Sequence, residues 1–94
     1  MEPYTQTYKK INGEEVGVIR VDNDFYGNPR FVIWYGDVLR LAGIENNDIL
    51  ESYEEAVKIA KDKIGGKKYR VKWFGGGIVF TSYNVEEDLK RLIK

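Results

Sequence analysis

Three basic side chains recur at every second position late in the 94-residue chain, at Lys68, Arg70 and Lys72. On a β-strand this spacing places all three on one face, about 7 Å apart, close to the phosphate repeat along one nucleic-acid strand. The stripe can therefore contact phosphates or the acidic side chains of a partner. The alternative is a solvated sheet face on which acids of a neighbouring strand, such as Glu14 or Glu15, compensate the repulsion between like charges.

Phe74 and three consecutive glycines follow this stripe directly. An exposed aromatic ring beside basic side chains suits base stacking or a hot spot of a protein interface. The glycines either form a nest of backbone N–H groups for an anion, or let a partner's backbone approach closely, or form a wide turn that needs positive φ. No Gly-Lys-Ser/Thr follows them, so the segment does not match a P-loop. We predict a partner-binding site from these residues: Lys68, Arg70, Lys72, Phe74, Gly75, Gly76 and Gly77.

The chain contains no His and no Cys. It therefore lacks the commonest general base and metal ligand, and it has no thiol nucleophile, disulfide or zinc-thiolate site. Ser52 and Ser82 have no His and no clearly paired base to activate them. We predict that the protein is not an enzyme and has no catalytic, cofactor-binding or metal-binding residues.

Residues 22–24 have the sequence Asp-Asn-Asp, which resembles the start of a calcium-binding loop. The match fails because the third ligand position is Tyr26 and the twelfth is Ile33, where a Glu is required. A turn held by its own Asp and Asn side chains explains the cluster better. Phe25 and Tyr26 lie inside this polar turn, where they are either exposed anchors or part of the core.

Charge is balanced in total but not along the chain, which has 15 basic and 15 acidic residues. A net charge of zero argues against a dedicated nucleic-acid binder, whose affinity comes from a net basic surface. Residues 45–55 hold five acids and no base, whereas residues 58–72 hold seven bases and one acid. Helix-dipole complementation explains about half of this pattern and does not explain the stripe of Lys68, Arg70 and Lys72.

The sequence contains no apolar run that approaches the roughly 18 residues needed to span a bilayer. Its N-terminus has neither the basic segment nor the apolar segment of a secretion signal. We expect a cytoplasmic protein with no membrane partner.

The first part of the chain predicts a strand-rich fold. Residues 4–11 and 14–21 form a hairpin around Asn12-Gly13, which supplies the two positive-φ positions of a type I′ turn. A third strand follows at residues 30–35, where β-branched and aromatic residues concentrate.

The middle of the chain predicts one well-marked helix. Residues 37–43 fit one short helical turn capped by Asp37, and residues 44–50 are predicted as a loop. The main helix is predicted to begin with a capping box formed by Ser52 and Glu55, and Gly65-Gly66 ends it.

The last part of the chain completes the predicted fold. Strands at residues 68–73 and 78–83 flank the glycines as a second hairpin, and a final helix begins at Asn84 with Glu87 as its capping partner. The fold class is α+β, in a single domain over residues 1–94. The order is β-β-β-α-β-β-α, with a mostly antiparallel sheet and helices packed on one face.

Helices on one face leave the other face of the sheet available. We expect the basic stripe on this available face, with Tyr69, Val71 and Trp73 pointing inward, although the opposite assignment also fits the alternation.

The segments Gly66-Lys67-Lys68-Tyr69-Arg70 and 74–84 resemble a pattern of small proteins encoded by phages, plasmids and archaeal mobile elements. The shared pattern is Lys-Tyr-Arg-x-x-x-Phe-Gly-Gly-Gly-Ile-Val-Phe-x-Ser-Tyr-Asn, and it covers about a fifth of the chain. The resemblance implies an accessory protein of a mobile element, with no established catalytic residues.

Two functions from different classes fit these observations. The first is a small non-enzymatic interaction protein of a virus or mobile element that binds a host protein or nucleoprotein, for instance a defence inhibitor such as an anti-CRISPR. Zero net charge and numerous aromatic residues favour it. The second is direct nucleic-acid binding by residues 67–74, with basic side chains on phosphates and Phe74 stacking on a base. An unpaired sheet edge also allows a homodimer.

Overall fold

The computed structural model describes residues 5–69 and 76–93 of the chain. These residues form an antiparallel sheet with strand order β1-β2-β3-β5-β4. The strands are β1 (Thr5–Ile11), β2 (Glu14–Asn23), β3 (Pro29–Trp34), β4 (Lys67–Tyr69) and β5 (Gly77–Thr81). The helices are α1 (Tyr35–Ala42), α2 (Ile49–Ile64) and α3 (Val85–Lys90). The predicted α+β class, antiparallel sheet and one-sided helices are confirmed, and α1 is a full helix added to the predicted order.

The first hairpin forms where the sequence predicts it. Asn12 and Gly13 have φ values of 50° and 81°, and the adjoining residues Ile11 and Glu14 face each other across the hairpin. These two positive-φ positions are what a type I′ turn requires, and Asn-Gly meets that requirement at little steric cost. The turn therefore sets the register of β1 against β2.

One hydrophobic core lies between the sheet and the helices. Val18, Ile33 and Ile78 stand opposite one another on three neighbouring strands and are buried. Alternate residues of a strand share one face of a sheet, so these side chains point to the same side. They pack there with apolar residues from every helix. The core contains mainly these residues: Ile11, Val16, Val18, Ile33, Val38, Leu39, Ala56, Ala60, Ile78, Phe80, Leu89 and Leu92.

The predicted start of α1 at Asp37 is wrong, because the helix begins two residues earlier, at Tyr35. The Tyr35 N–H donates to the Gly76 carbonyl at 3.0 Å, so a distant part of the chain holds the junction of strand and helix. Asp37 lies in the first turn and pairs with Arg40 at 2.7 Å. Gly43 ends the helix in the left-handed conformation, as predicted.

The predicted capping box of α2 is also wrong. Asp48 is the N-cap, and its carboxylate accepts a hydrogen bond from the Glu51 N–H at 2.8 Å. Ser52 is only 3% exposed and donates to the Asn46 carbonyl at 3.1 Å. Asp48 and Ser52 both have side chains that suit an N-cap position. Ser52, however, lies four residues before Ala56 on the buried face of the helix. Ser52 is therefore a buried residue of the helix and not its N-cap.

Later boundaries agree more closely with the prediction. Gly65 ends α2, and Asn84 caps α3 by accepting from the Glu87 N–H at 3.2 Å. The second hairpin is present as the pairing of β4 with β5. The predicted strand at residues 68–73 continues past Tyr69 into a segment that lies outside the described residues.

Candidate functional site

The face of the sheet opposite the helices carries an ordered set of side chains, and we call it the open face. Among residues 5–69 and 76–93, no helix packs on it. Cross-strand pairing sets two parallel rows of residues across it. One row aligns Gln6, Ile19, Val32, Val79 and Lys67, one residue from each strand. The row is apolar at its centre and polar at both ends, and Val32 at that centre is only 3% exposed.

The second row alternates aromatic side chains with glycines. Tyr8 is paired with Gly17, while Trp34 and Tyr69 are both paired with Gly77. A Cβ on Gly17 would lie 3.3 Å from the ring of Tyr8, so this ring covers the glycine. Aromatic rings commonly cover glycines on neighbouring strands in this way. We call these five residues the aromatic–glycine row.

Trp34 is the largest side chain of this row, and it stands where β3 meets α1. Its ring lies against Gly36, where an added Cβ would approach a ring carbon to 2.5 Å. It also meets the Tyr35 ring edge-to-face at 5.1 Å between centroids. The indole is nonetheless 55% exposed and Tyr8 is 61% exposed. The open face therefore presents two large aromatic surfaces to solvent.

One ion pair lies at an end of the open face. Arg30 donates from Nε to Asp22 Oδ1 at 2.6 Å and makes a second hydrogen bond to the same carboxylate. The Arg30 hydrogen bond holds the pKa of Asp22 below its ordinary value and outweighs the opposing effect of desolvation. This pairing leaves little net charge at that end of the face.

The basic stripe does not lie as predicted where the structure describes it. Lys68 stands opposite Ile78, a core residue, so its side chain is on the helix side of the sheet. Its ammonium group pairs with Glu54 of α2 and lies 5.7 Å from the centroid of the Tyr53 ring. Lys67 and Tyr69 occupy the open face instead. Because β4 is an edge strand, a long Lys side chain can cover its margin and reach the helix.

The remaining predicted site residues divide into two groups. Arg70, Lys72, Phe74 and Gly75 lie outside the described residues, so their predicted role in binding stays a prediction. Gly76 and Gly77 are described, and each contributes a carbonyl to the fold: Gly76 accepts from the Tyr35 N–H and Gly77 from the Tyr53 hydroxyl, both at 3.0 Å.

Gly76 has a conformation that explains why glycine is present. Its φ is 84°, and an added Cβ would lie 2.4 Å from a ring carbon of Tyr35. Side chains other than hydrogen are disfavoured at such a φ, and the Tyr35 ring fills the space that a side chain would need. This geometry supports the prediction that Gly76 belongs to a turn that requires a positive φ. The anion nest formed by all three glycines stays a prediction.

Sequence reasoning did not select Tyr8 or Trp34 as site residues. The available signal was the position of Gly17 at the middle of β2, because an isolated glycine inside a strand often marks close approach by another group. Pairing Gly17 with Tyr8 needs only the hairpin register fixed by Asn12-Gly13. Pairing Trp34 with Gly77 needs a long-range contact that no local pattern encodes.

A groove with a volume of about 800 Å³ lies between α1 and the start of α2. The Arg40 guanidinium at its edge donates to the Glu15 carbonyl and to Asp37. Burial raises the pKa of Asp37 despite the opposing effect of Arg40. Across the ranges described, no three acidic side chains converge as metal ligands would, and no helix is long and apolar enough to cross a membrane.

Comparison with known protein families relates the chain to a phage family. A family model described as Staphylococcus phage terminal repeat-encoded protein TreK matches residues 9–94. No curated protein and no solved structure matches the chain. The expectation of a small phage protein is confirmed, whereas the shared motif at residues 66–84 stays a prediction.

Proposed function

The chain belongs to the Staphylococcus phage TreK family, and we propose that it is a non-enzymatic interaction protein that binds a host protein or nucleoprotein in the host cytoplasm through the open face. The observation that supports this most is the aromatic–glycine row, which presents Tyr8 and Trp34 to solvent. Inhibition of a host defence system, as by an anti-CRISPR protein, is one role that such binding would serve.

Trp34 supplies enough surface to act as a hot spot. An aromatic side chain buries 150–250 Å² when fully enclosed, so covering the exposed half of this indole removes on the order of 100 Å² from water. At about 25 cal/mol per Å² this contributes roughly 2.5 kcal/mol, or about a 70-fold change in affinity. Trp is also among the residue types most enriched at the energetic centres of protein interfaces.

The charges favour a protein surface over bare nucleic acid. Lys68 is paired with Glu54 on the helix side, and Arg30 is paired with Asp22. Phosphate binding releases counterions in proportion to the number of cations that are free to contact phosphates. Direct nucleic-acid binding through residues 67–74 therefore depends on Lys67, Arg70, Lys72 and Phe74. It is the alternative that the experiment below must decide.

The test is affinity capture from a Staphylococcus lysate, with and without nuclease, by the tagged protein and by two variants. Trp34→Ala removes the centre of the open face. Leu50→Ala is the matched control, because Leu50 is 81% exposed but lies in the first turn of α2, on the helix side. Captured proteins are identified, purified and titrated directly.

The proposal predicts a protein that survives nuclease treatment, binds the purified wild-type chain, and loses affinity about 70-fold with Trp34→Ala but not with Leu50→Ala. Recovery of nucleic acid alone, with affinity that falls steeply between about 50 and 200 mM salt, would replace the proposal by the nucleic-acid alternative. Equal affinity of both variants for the protein would remove the open face as the binding surface.

A further inference from the structure

The outer edge of β1 is a row of backbone hydrogen-bonding groups with no strand beside it. β1 stands at one end of the sheet order and pairs with β2 on its inner side. In a hairpin with a two-residue turn, the flanking residues, here Ile11 and Glu14, form a hydrogen-bonded pair, and the residues of β1 alternate from there between bonding to β2 and pointing outward. The N–H and C=O groups of Gln6, Tyr8 and Lys10 therefore point away from the sheet.

In the part of the chain that the structure describes, no hydrogen bond reaches these outward groups. The large side chain at the middle of the strand leans the other way, because the Tyr8 ring lies over Gly17 of β2. The seven residues of β1 include no Pro that would interrupt a new ladder. An uncovered edge strand of this kind is a template on which another strand can pair.

We propose that a second copy of this chain pairs antiparallel with β1 across the outer edge, about a two-fold axis at Tyr8, so that the two sheets become one. A two-fold dimer uses the same surface on both copies. Tyr8 is the middle residue of β1, so this register pairs the strand over its whole length. Gln6 then exchanges hydrogen bonds with Lys10 of the second copy, and Tyr8 with Tyr8. The inference goes beyond the proposed function, because it needs no host protein.

The lysines of β1 favour this register. Like charges directly opposite each other on paired strands are destabilising. With the axis at Tyr8, Lys9 stands opposite Thr7 of the second copy, and Lys10 stands opposite Gln6. An axis at Lys9 would place the two Lys9 side chains opposite each other and would shorten the ladder. Lysines on an edge strand commonly discourage unwanted pairing, and here their positions leave one full-length register without a clash of charges.

A groove beside β1 supplies a complementary charge. Thr7 and Lys9 line it on the helix side of the sheet together with Glu86 of α3. Neither Lys9 nor Glu86 forms an ion pair with another described residue. Residues opposite each other on paired strands lie about 5 Å apart, so Thr7 of the second copy brings its own Glu86 within reach of the long Lys9 side chain.

This charge complementarity favours a second copy as the occupant of the edge. Two-fold symmetry repeats the contact between Lys9 and Glu86, so each dimer contains it twice. The chain has no net charge, and two copies therefore do not repel each other as whole molecules.

The first test is sedimentation velocity of the purified full-length chain from about 1 µM to about 1 mM. Gln6→Pro removes an outward N–H and places a ring at the edge, while the hydrogen bonds from β1 to β2 stay in place. Gln6→Ala is the matched control, because it loses the same side chain and keeps the N–H. Thermal melts followed by circular dichroism establish that both variants are folded.

The second test exchanges the charges. Lys9→Glu and Glu86→Lys are purified separately, and each alone places like charges across the interface. When the two variants are mixed, a dimer of one with the other has opposite charges at both contacts. An ion pair within a single copy would gain nothing from mixing, so this experiment separates contacts between copies from contacts within one copy.

The inference predicts a dimer for the wild type and for Gln6→Ala, and a dissociation constant at least about 30-fold higher for Gln6→Pro. Each charge variant alone should dimerise about tenfold more weakly, and the mixture should return to within about threefold of the wild type.

A wild-type chain that stays monomeric at about 1 mM, or a dimer that folded Gln6→Pro leaves intact, would overturn the inference. A mixture no tighter than its components would overturn the register at Tyr8. Loss of the dimer with Trp34→Ala but not with Gln6→Pro would assign association to the open face instead. All these readouts use the purified chain alone, so their failure leaves the proposed function standing.

Discussion

Replacing Gly76 by Ala tests the packing of the glycine segment most directly. Two costs arise at this position. An L-residue at a φ of 84° is disfavoured by about 1 kcal/mol. The new methyl group would also lie 2.4 Å from one ring carbon of Tyr35, far inside normal contact distance, and 3.2 Å from the Tyr53 ring, which is a tight contact. Crowding of this kind in a packed site costs about 1–3 kcal/mol.

The two costs add because they act on different degrees of freedom. Moving the Tyr35 ring away also weakens its packing on Tyr53, whose ring centroid lies 5.7 Å away. We therefore expect Gly76→Ala to lower the free energy of unfolding by about 3 kcal/mol. For a domain of this size that corresponds to a drop in melting temperature of roughly 12–24 °C.

Gly13→Ala is the matched control. Gly13 has nearly the same φ, 81°, but nothing lies within 4 Å of its added Cβ. It should therefore lose only the backbone contribution, about 1 kcal/mol or roughly 4–8 °C. Urea unfolding followed by circular dichroism and by Trp fluorescence gives both values. If the two variants differ by less than about 0.5 kcal/mol, the contact between Gly76 and Tyr35 is refuted.

Three other predictions concern the caps and charges. Asp48→Ala should lower the free energy of unfolding by about 1 kcal/mol in denaturant titrations, because the Glu51 N–H loses its acceptor. Lys68→Ala should cost less than about 1 kcal/mol, since its exposed pair with Glu54 is screened by solvent, and a double-mutant cycle should show the same small coupling. In carboxyl NMR titrations, Asp22 should titrate below 3.8 and Asp37 above it. Ionised Asp22 then stabilises the fold above pH 3.8, and this stability is lost as pH falls through its folded pKa. Protonated Asp37 stabilises the fold below pH 3.8, and this stability is lost as pH rises through its folded pKa.

Local patterns predicted the elements whose causes are local. Asn12-Gly13 sets the first turn, Gly65 ends α2, and Asn84 caps α3, because each acts on hydrogen bonds or φ values within a few residues. The start of α2 could not be chosen this way. Asp48 and Ser52 both fit the capping rule, and the core decides between them by burying Ser52.

The face assignment of β4 shows a second limit of sequence reasoning. Alternation of basic with aromatic residues suggested that Lys68 lies on the open face, and the pairing with Ile78 puts it on the helix side instead. On an edge strand, the long side chain of a lysine can extend over the margin of the sheet, and here the Lys68 ammonium group forms an ion pair with Glu54 of α2. The partner on α2 is 14 residues away in sequence, so local alternation does not reveal it.

The aromatic surface of the molecule was only partly predictable. Phe25 and Tyr26 stood out because they interrupt a polar turn, and the structure shows both rings exposed. Trp34 alternates with Ile33 and so lies on the opposite face of β3, but its pairing with Gly77 depends on strands that are far apart in sequence. A site assembled from several strands requires the sheet order, which single-strand patterns do not contain.

Site-specific photo-crosslinking tests most directly whether a host protein covers the open face. A benzoylphenylalanine placed at position 34 should form a nuclease-resistant crosslink to one host protein in Staphylococcus lysate, and the same group at position 50 should not. The crosslinked product should diminish when unlabelled wild-type chain is added in excess. Crosslinking from position 50 but not from position 34, or crosslinks to nucleic acid alone, would contradict binding of a host protein at the open face.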